Sequence, residues 1–453
     1  MRQTLFYIQD QVREVPVFGV GLLLVLWVVF SIGLIIWLAR RQGMTADTLG
    51  YLPVITIVAI VIIFVLPGIV EPGRGLPIRS YGVMTMLGIV AGVYLLAKRA
   101  AKVGIATDTI YSSSVWFCVA GFVGARLFHV IEYWESSYRH TGADGSIDVL
   151  ATGMAMINVP QGGLVVYGAF VGSTLVFFWL IRRYKLPALA FADLIAPSLM
   201  LGLAIGRLGC LLNGCCFGGS CALPWAVTFP QSSPPYQRQM ETGLGMGIQV
   251  ASEKGPQDVS ETESKRNRTS TKRSARPIIR WLSPTLKKEG LAPGDEIIRI
   301  ADIEHPSPEQ VWHALSSASA HGGLVSIETD RGQEALLSPL PAPARSGPVH
   351  PTQIYSSISA FVLCLFLLAY HPFRRRDGVV FGLLITIYPV IRILLETIRT
   401  DEAPQFGTGL SISQLVSLTL LGLVVLYWIW VLRQPPGSLW KSPEKSPKKS
   451  SAG

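Results

Sequence analysis

The sequence predicts an all-α polytopic membrane protein with about nine transmembrane helices and a small α+β insert. Half of its 453 residues are hydrophobic and only 15% are charged, whereas soluble domains average about 25% charged residues. Apolar runs long enough to cross about 30 Å of hydrocarbon recur along the chain. Because these runs are long and continuously apolar, they favour helices over the alternating strands of a β-barrel.

Nine segments qualify as spans, some of them only if the helix is tilted or broken. Six come before a long polar interruption and three after it, and they lie near 16–39, 52–70, 82–98, 111–131, 163–181, 190–212, 353–370, 379–398 and 410–432. The first span is too long for a cleaved signal peptide, and no small-residue cleavage site follows it. We therefore expect it to remain as an anchor.

Every second loop between these spans is basic. The cationic residues are Arg40 and Arg41, then Lys98, Arg99 and Lys102, then Arg182, Arg183 and Lys185, then Arg374, Arg375 and Arg376, and finally Arg433 and Lys441. Short cytoplasmic loops are enriched in Lys and Arg, so the N-terminus is predicted outside and the C-terminus in the cytoplasm. The net charge of +10 is partly this bias, and no nucleic-acid partner is inferred. The tail at 436–453 is expected to be a basic, disordered end.

The interruption at 223–349 has a different composition. Residues 231–280 are expected to form a polar linker. Residues 281–340 predict a small soluble domain outside the cytoplasm, with strands at 296–300 and 324–330 and a helix at 308–318. GLAPGDEIIRIADIEH (290–305) resembles the core strand and turn of PDZ-like domains, and that resemblance implies a peptide ligand for the insert.

The stretch IGRLGCLLNGCCFGG (205–219) carries the strongest functional signal. Arg207 follows an apolar run, and an intramembrane charge is a functional-site hypothesis by default. Gly202, Gly206 and Gly209 recur at helical spacing, which would let a neighbouring helix or a lipid approach closely. Asn213 then adds a carboxamide at the membrane boundary. A cation, an amide and a glycine-rich bend together suit an anionic lipid headgroup.

A second charged pair lies near the C-terminus. Arg392 and Glu396 are four residues apart and would share one helix face. A guanidinium can form a fork onto phosphate oxygens, and Glu396 could hold Arg392 in place. Structural roles remain open as well: Arg207 could pair with Glu396 or Glu132 to lock the bundle, and Arg126 could be an ion-pair or snorkelling residue. Residues that could simply be boundary residues are Tyr81, Tyr167 and His350.

The six cysteines are Cys118, Cys210, Cys215, Cys216, Cys221 and Cys364. In an oxidising compartment, Cys221 could form a disulfide with Cys215 or with Cys216. No C-x-x-C pair is present, so no metal site is expected. Cys118 and Cys364 lie in apolar runs and are expected to be packing residues.

Seven motifs in order resemble the prolipoprotein diacylglyceryl transferase family, over 76–230 and 348–435. They are RSYGVMTMLG (79–88), GARLFHV (124–130), QGGLVVYGAFVG (161–172), ADLIAPSLMLGLAIGRLGCLLNGCCFGG (192–219), PWAVTFP (224–230), HPTQIYSS (350–357) and YPVIRILLETIRTDEAPQF (388–406). The resemblance makes seven spans the family core and 1–75 an N-terminal extension carrying two more.

The resemblance implies transfer of a diacylglyceryl group from phosphatidylglycerol to the lipobox cysteine of a preprolipoprotein, in the bacterial inner membrane and without a cofactor. Expected partners are therefore phosphatidylglycerol and preprolipoprotein signal peptides. The residues expected to be catalytic are Tyr81, Tyr167, Arg207, Arg392 and Glu396. The residues expected to bind substrate are Arg126, Arg207, Asn213, Gly218 and His350.

This chain departs from the family pattern at three positions. Tyr167-Gly168-Ala169 stands where the family commonly has HGG, whose histidine is a proposed base. Cys210 replaces an asparagine and Cys215 a glutamate. A divergent, inactive homologue is therefore an alternative to an active transferase.

Two further alternatives are a membrane-anchored scaffold that binds peptides through its insert, and a transporter. A transporter would be expected to show an internal repeat, and none is evident. A protease is not favoured, because neither an HEXXH motif nor a nucleophile-elbow serine is found.

Overall fold

A computed structural model describes residues 3–13, 15–43, 52–71, 73–141, 147–157, 163–231, 233–241, 247–253, 276–321, 323–337, 343–400 and 408–437. The predicted tail therefore lies almost wholly outside the described residues, as does 254–275 of the predicted linker. The helices are α1 (Leu22–Gln42), α2 (Leu52–Ile60), α3 (Ser80–Lys102), α4 (Thr107–Glu132), α5 (Val149–Ile157), α6 (Val166–Tyr184), α7 (Ala188–Asn213), α8 (Pro234–Glu241), α9 (Pro284–Lys287), α10 (Pro308–His321), α11 (Thr352–Tyr370), α12 (Val379–Glu396) and α13 (Ile412–Leu432). The strands are β1 (Thr4–Ile8), β2 (Gln11–Val12), β3 (Val15–Pro16), β4 (Leu76–Arg79), β5 (Ile248–Glu253), β6 (Arg276–Leu282), β7 (Ile297–Ile300), β8 (Ile303–Glu304), β9 (Val325–Thr329) and β10 (Glu334–Leu337).

The chain forms two compact units. The helical unit contains Arg2–Gly209, Ser356–Ile393 and Ile412–Gly453. The insert unit contains Cys210–Tyr355 and Leu394–Ser411.

The protein is a mostly helical, multi-pass membrane protein. Among the described residues, seven helices are long and apolar enough to cross a membrane, namely α1, α3, α4, α7, α11, α12 and α13. The other two predicted spans are α2, which a π-helical turn (Val61–Val65) and a 3-10 turn (Leu66–Gly68) extend, and α6, which ends in Arg182 and Arg183. The count of nine spans stays a prediction.

Helix α7 is the central helix of the helical unit. In its most apolar stretch 56% of the residues are buried, against 39% or less in the other candidate spans. Its first half packs Phe191 and Leu194 against α3 and α4, and Met200 lies in a cluster with α11 and α12. The IGRLGC stretch (205–210) lies in the last turns of α7, so this packing fixes the helix that carries Arg207.

Asp193 of α7 holds the beginning of α12. Its Oδ2 accepts a hydrogen bond from Gly378 N and its Oδ1 one from Phe381 N, both at 2.8 Å. The first turn of a helix has N–H groups without intrahelical acceptors, and it carries a partial positive charge. A carboxylate there accepts hydrogen bonds from these N–H groups and is attracted by the charge. This contact sets the position of α12 against α7, and with it the position of Arg392.

The N-terminal segment folds back onto the beginning of α3. β1 pairs antiparallel with β4, and both the amide N and the Oγ of Ser80 donate to Gln3 O at 2.9 Å. The strands on either side of the α1–α2 pair therefore lie side by side.

The insert unit contains an α+β body with its own apolar core. β7 and β9 form a sheet with β8 and β10, in the order β10-β9-β7-β8, and β5 pairs with β6. The predicted strands at 296–300 and 324–330 and the helix at 308–318 are confirmed as β7, β9 and α10. The PDZ-like assignment stays a prediction.

The predicted linker over 231–280 is wrong at both of its ends. Helix α8 and strand β5 occupy its first part, and β6 begins at Arg276. The physical reason is apolar burial, because Ile248 and Ile279 are completely buried in the core of the insert.

Candidate active site

Glycines bring the beginning of α3 close to α7, in the helical unit. A Cβ added to Gly209 would lie 3.3 Å from Tyr81 O, and one added to Gly88 would lie 2.7 Å from Gly202 O. Helix backbones approach this closely only where side chains are absent. The predicted close approach is confirmed at Gly202 and Gly209, while a Cβ on Gly206 would meet no atom within 4 Å. Tyr81 thus lies beside the turn of α7 that follows Arg207.

Two of the predicted cations lie on α7 and α12. Arg207 and Arg392 are both half-buried. Arg392 Nη2 donates a hydrogen bond to Ser413 Oγ at 2.8 Å, at the beginning of α13. This bond fixes the orientation of the guanidinium, a group with five N–H donors.

Tyr167 is the second residue of α6, directly before a tight helix crossing. A Cβ on Gly168 would lie 2.2 Å from Gly124 O, and one on Gly172 would lie 2.2 Å from Ala120 O. Helices α4 and α6 therefore run antiparallel with their backbones in contact. The phenol of Tyr167 is half-buried, and its position is set by a crossing that tolerates no side chain on the next residue.

Arg126 directs its guanidinium at the main chain. Its Nε donates to Met156 O at 2.9 Å, its Nη1 to Gly163 O at 3.0 Å and its Nη2 to Ala155 O at 2.9 Å. Two of these acceptors are carbonyls in the last turn of α5, where a cation is favourable. These bonds give Arg126 a structural role in tying α5 and the segment before α6 to α4. Substrate binding by this residue stays a prediction.

In the insert unit, Gly218 and Gly219 lie between two other segments of backbone. Gly218 N donates to His350 O at 3.0 Å, His350 N donates to Gly219 O at 3.0 Å, and Gly219 N donates to Ile398 O at 2.9 Å. A Cβ on Gly218 would lie 2.7 Å from His350 Cβ. This position therefore requires glycine for packing. The structure brings the predicted residues Gly218 and His350 together.

Glu396 lies in the same unit, beside an arginine that the sequence analysis did not select. Arg399 Nη1 is 3.2 Å from Glu396 Oε2, and Arg399 also forms an isolated antiparallel bridge with Gly218. Arg399 follows the end of α12 in a turn, where its N donates to Glu396 O at 3.3 Å, which brings the two side chains together. Whether Glu396 also orients Arg392 stays a prediction.

Helix α7 ends at Asn213, and a turn of left-handed backbone follows. Gly214 has φ +83° and Cys216 has φ +58°, and Gly214 N donates to Cys210 O at 2.8 Å. Two residues that the sequence analysis did not select hold this turn. Thr352 Oγ1 donates a hydrogen bond to Cys216 O at 2.6 Å, and Gln353 Nε2 donates one to Cys215 O at 2.7 Å. Gln353 is completely buried. Its place in HPTQIYSS was the signal that could have found it.

All six cysteines are present as thiols. The Sγ atoms of Cys210, Cys215 and Cys216 all lie within 4.8 Å of one another. A hydrogen bond from Cys210 lowers the pKa of the Cys215 thiol, but a hydrogen bond from Cys216 and burial raise it more, so the pKa lies above its ordinary value. Cys215 is therefore a neutral thiol near pH 7 and a poor nucleophile.

Comparison with known proteins decides the family. The model of the prolipoprotein diacylglyceryl transferase family matches residues 67–430. The chain belongs to this family. It is 33% identical to the phosphatidylglycerol–prolipoprotein diacylglyceryl transferase of Rhodopirellula baltica, over 95% of this chain and 89% of that protein. A protein of the same name from Clostridium tetani is 24% identical over 76% of this chain and 89% of its own length.

The family match includes all of the candidate residues, from Tyr81 to Glu396. As a diacylglyceryl transferase, the protein must hold an anionic phospholipid beside a peptide thiol. Its chemistry then needs fixed donors for the phosphate of the leaving group.

Proposed function

We propose that this protein transfers the diacylglyceryl group of phosphatidylglycerol to the lipobox cysteine of preprolipoproteins. The family match over 67–430 carries this proposal. The sulfur of the peptide attacks a glycerol carbon, a C–S bond forms, and the C–O bond to the phosphate breaks. The products are a thioether and glycerol phosphate, and the thiol proton leaves to a base or to the leaving phosphate.

Stabilisation of the leaving group is the main contribution of the protein. Arg207 and Arg392 can each hold two phosphate oxygens in a planar fork, a geometry that lysine cannot offer. The bond from Arg392 to Ser413 supports this role, because it holds the side chain in place before the lipid binds. A group that is already oriented costs no reorganisation when charge develops.

Thiol deprotonation requires less help. A cysteine thiol has a reference pKa near 8.5, so a few per cent is already thiolate near pH 7. Tyr167 donates a hydrogen bond from its phenol to a phosphate oxygen. Gly218 and His350 pair through their backbones, and Arg399, which pairs with Glu396, bridges to Gly218.

The decisive experiment is lipidation of a lipobox peptide. Purified protein in phosphatidylglycerol vesicles should add one diacylglyceryl thioether per cysteine, measured by mass spectrometry, while a peptide with serine in place of the cysteine stays unmodified. Complementation of a strain lacking its own transferase gives the same answer in cells. A folded enzyme that yields no thioether, beside an active control enzyme, would contradict the proposal and favour an inactive homologue.

We also propose nine spans in a bacterial inner membrane, with the N-terminus and the insert outside and the C-terminus in the cytoplasm. The β1–β4 pairing supports two crossings by α1 and α2, because both strands must lie on the same side of the membrane. The antiparallel contact between Gly124 and Gly168 supports a crossing by α6 beside α4. The basic loops set the direction. Cysteine-accessibility labelling at Lys185 and at Arg280 should report opposite sides.

The PDZ-like insert recruits substrate and takes no part in the chemistry. The two ends of the insert lie close together, which supports a body that can be removed: Pro230 and Arg345 form a β-bridge, and Gly347 N donates to Gln239 Oε1 at 2.7 Å. Residues 242–342 can therefore be replaced by a Gly/Ser loop of about 12 residues. Peptide lipidation should persist, and transfer to full-length substrates should fall. Loss of both in a folded protein would place the insert in the active site.

A further inference from the structure

The end of α7 brings together three thiols to which the proposed mechanism assigns no role. The Sγ atoms of Cys210, Cys215 and Cys216 all lie within 4.8 Å of one another. Cys210 is buried, and the other two are half-buried. No fourth Cys, His, Asp or Glu within the described part of the chain joins this group.

The backbone holds these sulfurs in place. The left-handed residues Gly214 and Cys216 reverse the chain directly after α7, which returns Cys215 and Cys216 to the last turn of the helix beside Cys210. Gln353 and Thr352 then hold the carbonyls of Cys215 and Cys216. Both of these hydrogen-bonding side chains are buried. These bonds reach the main chain of two of the three cysteines, so they fix the backbone that carries the sulfurs.

We propose that Cys210, Cys215 and Cys216 bind one thiophilic d¹⁰ metal ion, Zn²⁺ or Cu⁺. Three thiolates at metal–sulfur bonds of about 2.3 Å would lie about 3.8 Å apart in tetrahedral geometry. Because the three Sγ atoms already lie within 4.8 Å of one another, each pair needs to approach by no more than about 1 Å to reach that distance. Thiolates select these soft ions over Mg²⁺ or Ca²⁺.

The site has three protein ligands and one open position. Zn²⁺ would complete its tetrahedron there with water or another exogenous ligand, whereas Cu⁺ is satisfied by three sulfurs. Binding releases the three thiol protons, so it weakens as the pH falls. Gln353, whose Nε2 bonds to Cys215 O, also has a buried Oε1 that accepts no hydrogen bond from the residues that the structure describes.

This proposal does not depend on the transferase activity, and its test reads metal directly. Full-length protein without a histidine tag is purified in detergent with a phosphine reductant, incubated with Zn²⁺ or with Cu⁺ and desalted, and its metal is measured by mass spectrometry. About one equivalent should remain. Cys210→Ser and Cys216→Ser should each retain less than about a tenth of that, while the controls Cys221→Ser and Cys118→Ser retain all of it. The ion that survives competition by a chelator of known affinity identifies the preferred metal.

A second measurement needs no variant. Bound metal should protect Cys215 and Cys216 from alkylation, followed by peptide mass spectrometry, and leave Cys118 as reactive as before. Metal content unchanged in Cys210→Ser, or protection that is equal at Cys118, would overturn the proposal.

Discussion

Arg399 Nη1 lies 3.2 Å from Glu396 Oε2, with only 5% and 3% of the two side chains exposed. A buried charge is tolerated because its partner is buried with it, so the two residues are coupled. Since Arg399 also forms a bridge with Gly218, the pair links the end of α12 to the glycine backbone beside His350.

Glu396→Gln should therefore lower stability strongly. It leaves Arg399 without its carboxylate, and breaking one side of a buried pair costs about 3–5 kcal/mol. Thermal unfolding in detergent measures the loss. The control is Glu135→Gln in the exposed Arg139–Glu135 pair, where about 0.5 kcal/mol is expected. Equal shifts in the two variants would show that Glu396 and Arg399 are not coupled.

Arg207→Ala and Arg392→Ala should abolish lipidation, and Arg207→Lys should restore little of it. Lysine keeps the charge but loses the two parallel hydrogen bonds to phosphate, and removal of one preorganised donor costs about 10²–10³ in turnover. Initial rates with a lipobox peptide give the comparison, with the exposed Arg139→Lys as the matched control. A near-normal rate in Arg207→Lys would mean that only a point charge is needed.

Tyr167→Phe should reduce turnover by the loss of one hydrogen bond, about 1–3 kcal/mol. Tyr167→His should keep or raise activity, because imidazole can also donate. Rates measured from pH 6 to 9 separate a donor from a base. A single pKa in the wild-type profile that disappears in Tyr167→Phe would identify the tyrosine as the base instead, and an unchanged rate would leave it as an interfacial aromatic.

Gly168→Ala should destabilise the helical unit, because its methyl group would lie 2.2 Å from Gly124 O. Neither backbone can move without separating α4 from α6, and overpacking costs about 1–3 kcal/mol or more. Gly422→Ala in α13 is the control, since its Cβ would meet no atom within 4 Å. Unfolding temperatures of the two variants should differ by several degrees, and matching values would argue against the tight crossing.

The sequence predicted the features that depend on local pattern. Apolar runs predicted the helices, and the spacing of Gly202 and Gly209 predicted close approach by a neighbouring helix or a lipid. The structure identifies the neighbour as α3. The insert helix at 308–318 followed from its apolar periodicity in the same way.

Other features depend on tertiary neighbours and could not be predicted from pattern. The polar segment around Ile248 was predicted as a linker because its pairing strand, β6, is distant in sequence. The role of Asp193, a charged residue in an apolar helix, becomes evident only from its hydrogen bonds to the beginning of α12. The three-thiol cluster needed two left-handed residues, Gly214 and Cys216, whose effect on the path of the chain has no spacing signature.

The pairing of β1 with β4 has a consequence for biogenesis. β1 is synthesised before its hydrogen-bonding partner β4, and α1 and α2 lie between the two strands in the chain. Until the two strands pair, the backbone edge of β1 remains available to other strands or to proteases. With α1 and α2 both crossing the membrane, as proposed, β1 can pair with β4 only after both helices have inserted. A chain in which α2 fails to insert should then keep a protease-sensitive N-terminal segment.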